Sequence, residues 1–324
     1  MAVYTDVSDE NLGEFIAEYE LGAVKSCKGI TEGIENSNYL LTTEAGTFIL
    51  TLYEKRVDEA DLPFFLGLMD HLAANGIPCP VPIKGRDGRT LRTLCGRPTA
   101  IVTFLDGMWP RRVTADHCSE LGGAMARMHL AGAGFELKRE NTLSVEGWRP
   151  LLEASISRAD EITPDLGNIL QTELDDLERN WPRDLPRGII HADLFPDNVF
   201  FQNDRLTGLI DFYFACNDYF AYDLAICLNA WCFEADNSFN ITKARRMLSA
   251  YRKVREFSDA ELIAMPLLAR GSALRFLLTR LYDWLHPPEN ALVTPQVTPK
   301  NPLEYLDKLR FHQGLSGPGA YGLD

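Results

Sequence analysis

The stretch Gly188-Ile189-Ile190-His191-Ala192-Asp193-Leu194-Phe195-Pro196-Asp197-Asn198-Val199-Phe200, followed by Leu209-Ile210-Asp211-Phe212, decides how this chain is read. Asp193, then Asn198 five residues on, then Asp211 thirteen further, stand between short apolar runs. Phosphoryl transfer asks for such a set: a carboxylate to orient an attacking hydroxyl, and two oxygen ligands to hold Mg²⁺ against nucleotide phosphates. The spacing H-x-D, Asn at the fifth position, then Asp-Phe supplies all three. Mg²⁺ is a hard cation that keeps several waters and accepts phosphate oxygens, so one amide oxygen (Asn198) and one carboxylate (Asp211) suffice. Asp193 is then the candidate catalytic base, and His191 a structural support that braces the loop through a hydrogen bond to backbone. Asp, Pro and Asn are also ordinary turn formers. Here three spacings match together, and strand-like pieces at 188–190, 199–201 and 206–210 flank the polar residues.

Composition narrows the partners. The 324 residues are enough for two lobes with a substantial core. A formal net charge of −14 argues against nucleic acid and against an anionic membrane surface. No uninterrupted apolar run reaches the roughly 18 residues of a membrane span. Met1-Ala2-Val3-Tyr4-Thr5-Asp6 has no cationic and apolar leader pattern. The seven cysteines are odd in number and form no C-x-x-C pair, which suits reduced thiols in a cytoplasm. Oligomeric state is not legible.

The pattern before the loop is β-rich. Ser8 caps a first helix with Leu12, Phe15, Ile16 and Tyr19 on one face. Runs at 38–43 and 47–53 read as a hairpin turning at 44–46. A helix over 59–74 stops at Asn75-Gly76, and strands at about 89–95 and 98–105 follow. Asp106-Gly107 breaks the pattern, so the expected lobes are 1–106, β-rich and nucleotide-binding, and 107–324, mostly helical with the catalytic loop and substrate site. Helices are expected at 115–130, 147–162, 166–180, 219–234, 240–255, 259–285 and 302–310. Ser258-Asp259-Ala260-Glu261 is a capping box for the longest, which Pro266 is expected to kink or cut. The fold class is α+β.

With Leu121-Gly122-Gly123-Ala124-Met125-Ala126-Arg127-Met128-His129, the catalytic loop, the Asp211 motif and Tyr222-Asp223-Leu224-Ala225, the chain resembles the aminoglycoside phosphotransferase and choline kinase superfamily. The resemblance covers most of the chain and implies a protein-kinase-like two-lobe fold, with ATP and Mg²⁺ as cofactors. It makes Asp223 a brace of the catalytic loop. It gives the strand end Thr103-Phe104-Leu105 to adenine, by analogy of fold. Gly33, Ser37 and Asn38, in the loop before the hairpin, become candidate phosphate contacts whose backbone N–H groups can cradle an anion. No Ala-Pro-Glu motif follows Asp211, and Phe195 stands where protein kinases carry a Lys; both disfavour a peptide acceptor. Thr51 stands where the family's third strand usually carries a phosphate-contacting Lys or Arg, with Lys28 and Lys55 as other candidates for that cation.

Gly29-Ile30-Thr31-Glu32-Gly33, Tyr53-Glu54-Lys55-Arg56, Asn229-Ala230-Trp231-Cys232 and Arg280-Leu281-Tyr282-Asp283-Trp284 are similar to the homoserine kinases of this superfamily. That resemblance implies ATP-dependent phosphorylation of L-homoserine, a zwitterion. Its carboxylate wants an Arg fork, for which Arg275 is the expectation, and its ammonium a carboxylate, for which Asp218 is. The alternatives within the superfamily are choline, aminoglycoside, hydroxylysine and methylthioribose kinases. Thr51 also motivates a nucleotide-binding protein without turnover, against which the intact Asp193, Asn198 and Asp211 speak.

Overall fold

A computed structural model describes residues 5–30, 36–54, 58–287, 300–315 and 317–323. The chain forms two compact units: Met1–Gly107 with Gly134–Leu137 and Thr207–Tyr213, and Met108–Ala133 with Lys138–Leu206 and Phe214–Asp324.

In the first unit, α1 (Asp9–Ala17) starts where the Ser8 side chain accepts the Asn11 N–H, satisfying a donor that has no partner inside the helix. Five strands, β1 (Val24–Gly29), β2 (Ser37–Thr43), β3 (Thr47–Leu52), β4 (Arg92–Leu94) and β5 (Arg97–Thr103), build an antiparallel sheet. Their order is β1-β2-β3-β5-β4. In β2 the buried residues are Ser37, Tyr39, Leu41 and Thr43, the period of two that a strand imposes. Leu12, Phe15 and Ile16 of α1 join Tyr39, Leu41, Phe48, Leu50, Leu52, Leu94 and Ile101 in one apolar core.

Two hairpin turns set the register. The Thr43 N–H reaches the Gly46 carbonyl at 2.8 Å, which closes the β2–β3 turn where Glu44-Ala45-Gly46 signals it. Between β4 and β5, Cys95 and Gly96 take φ of 51° and 74°, a type I′ turn whose twist matches its strands. Cys95 is exposed at that tip, Cys27 is half-buried, and the other cysteines are buried. The expected strand at 89–95 shortens to β4, because the Gly85 N–H bonds to the Arg89 carbonyl and holds the preceding residues in a turn. The expected helix at 59–74 opens as a 3₁₀ turn, Glu59–Asp61, before α2 (Leu62–Ala74).

The second unit is mostly helical: α3 (Ala115–Ala131), α4 (Val145–Ser155), α5 (Leu166–Asn180), α6 (Phe220–Trp231), α7 (Ile241–Arg252), α8 (Asp259–Leu285) and α9 (Leu303–Gln313). β6 (Arg187–Ile190) pairs antiparallel with β9 (Cys216–Tyr219), and β7 (Val199–Gln202) forms a two-stranded sheet with β8 (Arg205–Leu209). Asn203 and Asp204, with φ of 50° and 60°, make the turn of that hairpin. Gly122 allows α3 and α7 to approach closely, since a Cβ there would lie 2.1 Å from the Met247 carbonyl oxygen.

Pro266 does not cut its helix in two. Helix α8 runs unbroken through it. One backbone bond is lost, at a cost of about 3 kcal/mol. The Ser258–Glu261 capping box secures the start of the helix, and burial of Met265, Leu268, Ala269 and most of the residues up to Leu281 outweighs the loss. The same helix is apolar and long enough to cross a membrane, but 67% of its most apolar window is buried within the fold. It is a core helix that packs on α4, α6 and α9.

Candidate active site

Strand β6 delivers the chain to His191, and there the backbone turns sharply: Ala192 adopts φ of 62°. A non-glycine residue in that region must be held by its surroundings, and Asp223 of α6 holds it. Its Oδ2 accepts the His191 N–H at 3.0 Å and its Oδ1 the Ala192 N–H at 2.8 Å. His129, at the end of α3, lies 3.0 Å from Oδ2 through Nε2. Burial by itself pushes the Asp223 carboxyl up. The hydrogen bond from His129, the charges of His129 and His191 and the His191 amide overcome that and leave it below the usual carboxylate range.

Two more side chains take carbonyls of the loop. Trp231 Nε1 donates to the Leu194 oxygen at 2.7 Å, and Arg275 Nη1 donates to the Ala192 oxygen at 2.8 Å. The loop closes on itself through Asn198, whose Nδ2 donates to the Asp193 carbonyl at 2.8 Å and to Asp193 Oδ2 at 3.2 Å. Asp193 and Asn198 are thus brought together. Because Nδ2 is committed to Asp193, Oδ1 is the Asn198 atom that can turn toward a cation. Asp211 belongs to the first unit, two residues beyond the end of β8, at φ of 65° and exposed. An amide oxygen and a carboxylate are hard donors, and they fit Mg²⁺.

Other expected residues lie in varied settings. Gly33 and Lys55 fall outside the described residues. Ser37 spends its hydroxyl inside the sheet, donating to Glu54 Oε1 at 2.8 Å and accepting the Thr5 N–H at 3.1 Å. Asn38 Oδ1 accepts from Thr51 Oγ1 at 2.8 Å, so Thr51, buried in β3, is tied to the neighbouring strand. Lys28 is exposed on β1. Thr103 Oγ1 accepts the Val81 N–H at 2.9 Å at the end of β5, while Phe104 is exposed and Leu105 half-buried.

The two residues expected at the substrate are both buried. Asp218 pairs with Gly188 in the β6–β9 register, which puts it about 10 Å along the strand from His191. Its carboxylate is engaged by Asn141 Nδ2 and by the Tyr219 N–H, both at 2.7 Å, and burial pushes its pKa up. It lines a separate cavity of about 490 Å³ with Arg183, Arg187 and Tyr219. Arg275 is 2% exposed beneath the loop. Its Nη1 bond to the Ala192 carbonyl ties it to the turn. His129 and the indole of Trp231 are the loop supports that a reading of motifs does not assign. Both stand inside quoted motifs, at the end of the Leu121–His129 run and in Asn229-Ala230-Trp231-Cys232.

The profile of the phosphotransferase enzyme family matches residues 26–257. A homoserine kinase of Rhodospirillum rubrum is 64% identical over 323 residues, covering 100% of this chain and 99% of that protein. The chain belongs to the phosphotransferase enzyme family, in its homoserine kinase branch. A second homoserine kinase, from Paramagnetospirillum magneticum, is also 64% identical to this phosphotransferase, with 100% of both chains covered. Among solved structures, an amicoumacin kinase in complex with AMP-PNP and Ca²⁺ shares the fold with a TM-score of 0.66 at 16% identity, covering 94% of this chain and 92% of that one. The α+β protein-kinase-like fold class therefore holds for this phosphotransferase.

Proposed function

We propose that this chain transfers the γ-phosphoryl group of ATP to the hydroxyl of L-homoserine, giving O-phospho-L-homoserine for threonine biosynthesis in the cytoplasm. Identity of 64% over the whole length with homoserine kinases supports the acceptor. The Asp193–Asn198 arrangement supports the chemistry and is the observation that carries the mechanism.

In this reading residues 1–106 take the nucleotide and residues 107–324 the acceptor. Asp193 accepts the hydrogen bond of the attacking hydroxyl and aims its oxygen in line with the γ-phosphorus. Asn198 orients the Asp193 carboxylate through Nδ2. Asn198 and Asp211 would hold Mg²⁺, which when bound neutralises charge on the phosphate oxygens. Asp223, His129, Trp231 and Arg275 fix the loop backbone, so the carboxylate is in place before the substrate arrives; that preorganisation is where most of such catalysis comes from. Gly33, Ser37 and Asn38 at the phosphates, and the 103–105 strand end at adenine, complete the nucleotide assignment.

A coupled ADP-release assay over L-homoserine, choline, hydroxylysine, methylthioribose and an aminoglycoside tests the acceptor. L-homoserine should give the highest kcat/KM. A higher value for any other member of the panel would refute the assignment and leave the phosphotransferase chemistry standing.

A further inference from the structure

Helices α8 and α9 of the second unit carry a group of cations next to the catalytic loop. Phe195, two residues beyond Asp193, packs edge-on against Phe276 with ring centroids 5.0 Å apart, and Phe276 lies 5.3 Å from Tyr305. Lys300 Nζ stands 5.4 Å from the centre of the Phe195 ring. The Arg280 guanidinium and the Lys308 amine each lie 4.4 Å from the centre of the Tyr305 ring.

Arg280 and Lys308 share one carboxylate. Arg280 Nη1 is 2.6 Å from Glu304 Oε2, and Lys308 Nζ is 2.5 Å from Glu304 Oε1. Among the described residues, neither cation has a second carboxylate at ion-pair distance. The cations are 11% and 5% exposed, and Glu304 is 40% exposed. Two nearly dry positive charges against one half-wet negative charge are an expensive arrangement, since burying an ion costs several kcal/mol unless a partner offsets it. Burial pushes the Lys308 amine below its ordinary value, and the Glu304 charge opposes that. One further anion would balance the group.

Tyr305 supplies a second, independent observation. Its side chain is wholly buried, and its hydroxyl has no hydrogen-bond partner among the described residues. Buried hydroxyls in native folds almost always have one. Burial pushes this phenol up, and the charges of Arg280, Glu304, Asp193 and Arg275 also act on it, so both the cation pair and the catalytic carboxylate are near it.

We infer that Tyr305, Arg280 and Lys308 form the subsite for the α-carboxylate of the acceptor amino acid, with the Tyr305 hydroxyl donating to it and the cation pair balancing its charge. This rests on L-homoserine as the acceptor. The carboxylate-recognising role expected of Arg275 then passes to Arg280, five residues along the same helix.

Tyr305→Phe removes one oxygen and leaves the ring contacts. If the hydroxyl serves only packing, deleting an unpartnered polar group leaves Tm equal or higher and the kinetics unchanged. The subsite requires KM for L-homoserine to rise about tenfold or more, with KM for ATP and Tm held. Unchanged KM for L-homoserine would overturn the inference. Arg280→Gln adds a specificity readout: kcat/KM for L-homoserine divided by that for 3-aminopropan-1-ol, the same skeleton without the carboxylate. This ratio should fall by about tenfold or more in the variant, because only the carboxylate-bearing substrate loses a partner. Equal losses on both substrates would mark Arg280 as a tie between α8 and α9 and overturn the inference. Where Arg280→Gln does not fold, Arg280→Lys gives the same ratio with the charge retained. A wild type that does not phosphorylate L-homoserine would overturn the acceptor assignment itself, before any variant is compared.

Discussion

Asp223→Ala tests how the catalytic turn is built. In the native chain one wholly buried carboxylate takes the His191 amide at 3.0 Å, the Ala192 amide at 2.8 Å and His129 at 3.0 Å. Alanine leaves both amides without an acceptor where water does not reach. Each stranded buried donor costs about 1–3 kcal/mol, so the pair costs roughly 2–6 kcal/mol, against a total stability of about 5–15 kcal/mol. For a unit of this size each kcal/mol moves Tm by about 2–4 °C, so Tm should drop on the order of 10 °C in a calorimetric scan. A functional loss should come on top of that. Ala192 keeps its left-handed φ of 62° because Asp223 holds it, and relaxation of that turn moves Asp193. Steady-state kinetics well below the new Tm should therefore show kcat down at least about tenfold, since a displacement near 1 Å costs on the order of a hundredfold. Asp223→Asn, which keeps the shape but turns an N–H toward one of the donors, should fall between wild type and alanine. A Tm within about 2 °C of wild type, with unchanged kcat, would refute the reasoning and leave Trp231 and Arg275 as sufficient supports of the turn.

Three further outcomes are expected. Asp193→Asn should lower kcat by orders of magnitude while nucleotide titration shows ATP binding retained, because the lost hydrogen bond matters mainly in the transition state. Asn198→Ala and Asp211→Ala should raise the Mg²⁺ concentration needed for half-maximal activity, each having lost a hard oxygen ligand; unchanged Mg²⁺ dependence in both would move the metal elsewhere. Burial, helped by the Lys308 charge, pushes His312 down to about 3. The unfolded chain takes up that proton below about pH 6.5 and the folded chain does not, so stability is full above that pH and declines toward pH 3. Between pH 7 and pH 5 the loss should be about 2 kcal/mol by urea titration, and His312→Gln should flatten that segment of the curve.

Much of the helical unit can be read directly from the chain. Helix α5 and helix α8 occupy the expected residues 166–180 and 259–285, and the Ser258–Glu261 box of α8 is complete within four positions. Asp193 and Asn198 are legible for the same reason: they sit five residues apart, so local backbone alone brings them together. What a buried face touches is a different matter. Helical period puts Arg275 on the inner side of α8, but only the fold shows that its partner is the carbonyl of Ala192, 83 residues away in sequence. Asp218 looks like a site residue because it follows Asp211 closely, yet the β6–β9 register carries it along the strand away from the loop. Pro266 failed as a breaker because packing along the rest of α8 outweighs one missing bond. Tyr305, Arg280 and Lys308 converge only once α9 lies on α8, and no local pattern encodes that meeting.

The type I′ turn between β4 and β5 has a practical consequence for chemistry in solution. It places Cys95 in water, within direct reach of a reagent that attacks thiols. Burial, with Asp9 nearby, pushes Cys27 up to about 11, and Cys79, Cys118, Cys216, Cys227 and Cys232 are shut inside the fold. At neutral pH a maleimide should therefore modify the native chain once and quickly, and the denatured chain seven times. The slow modifications become clocks placed along the fold: Cys118 times the opening of α3, Cys216 that of β9, and Cys227 that of the α6 segment that carries Asp223. Mass spectrometry of partly labelled protein would read, without any engineered probe, whether the catalytic turn loosens before the helices behind it.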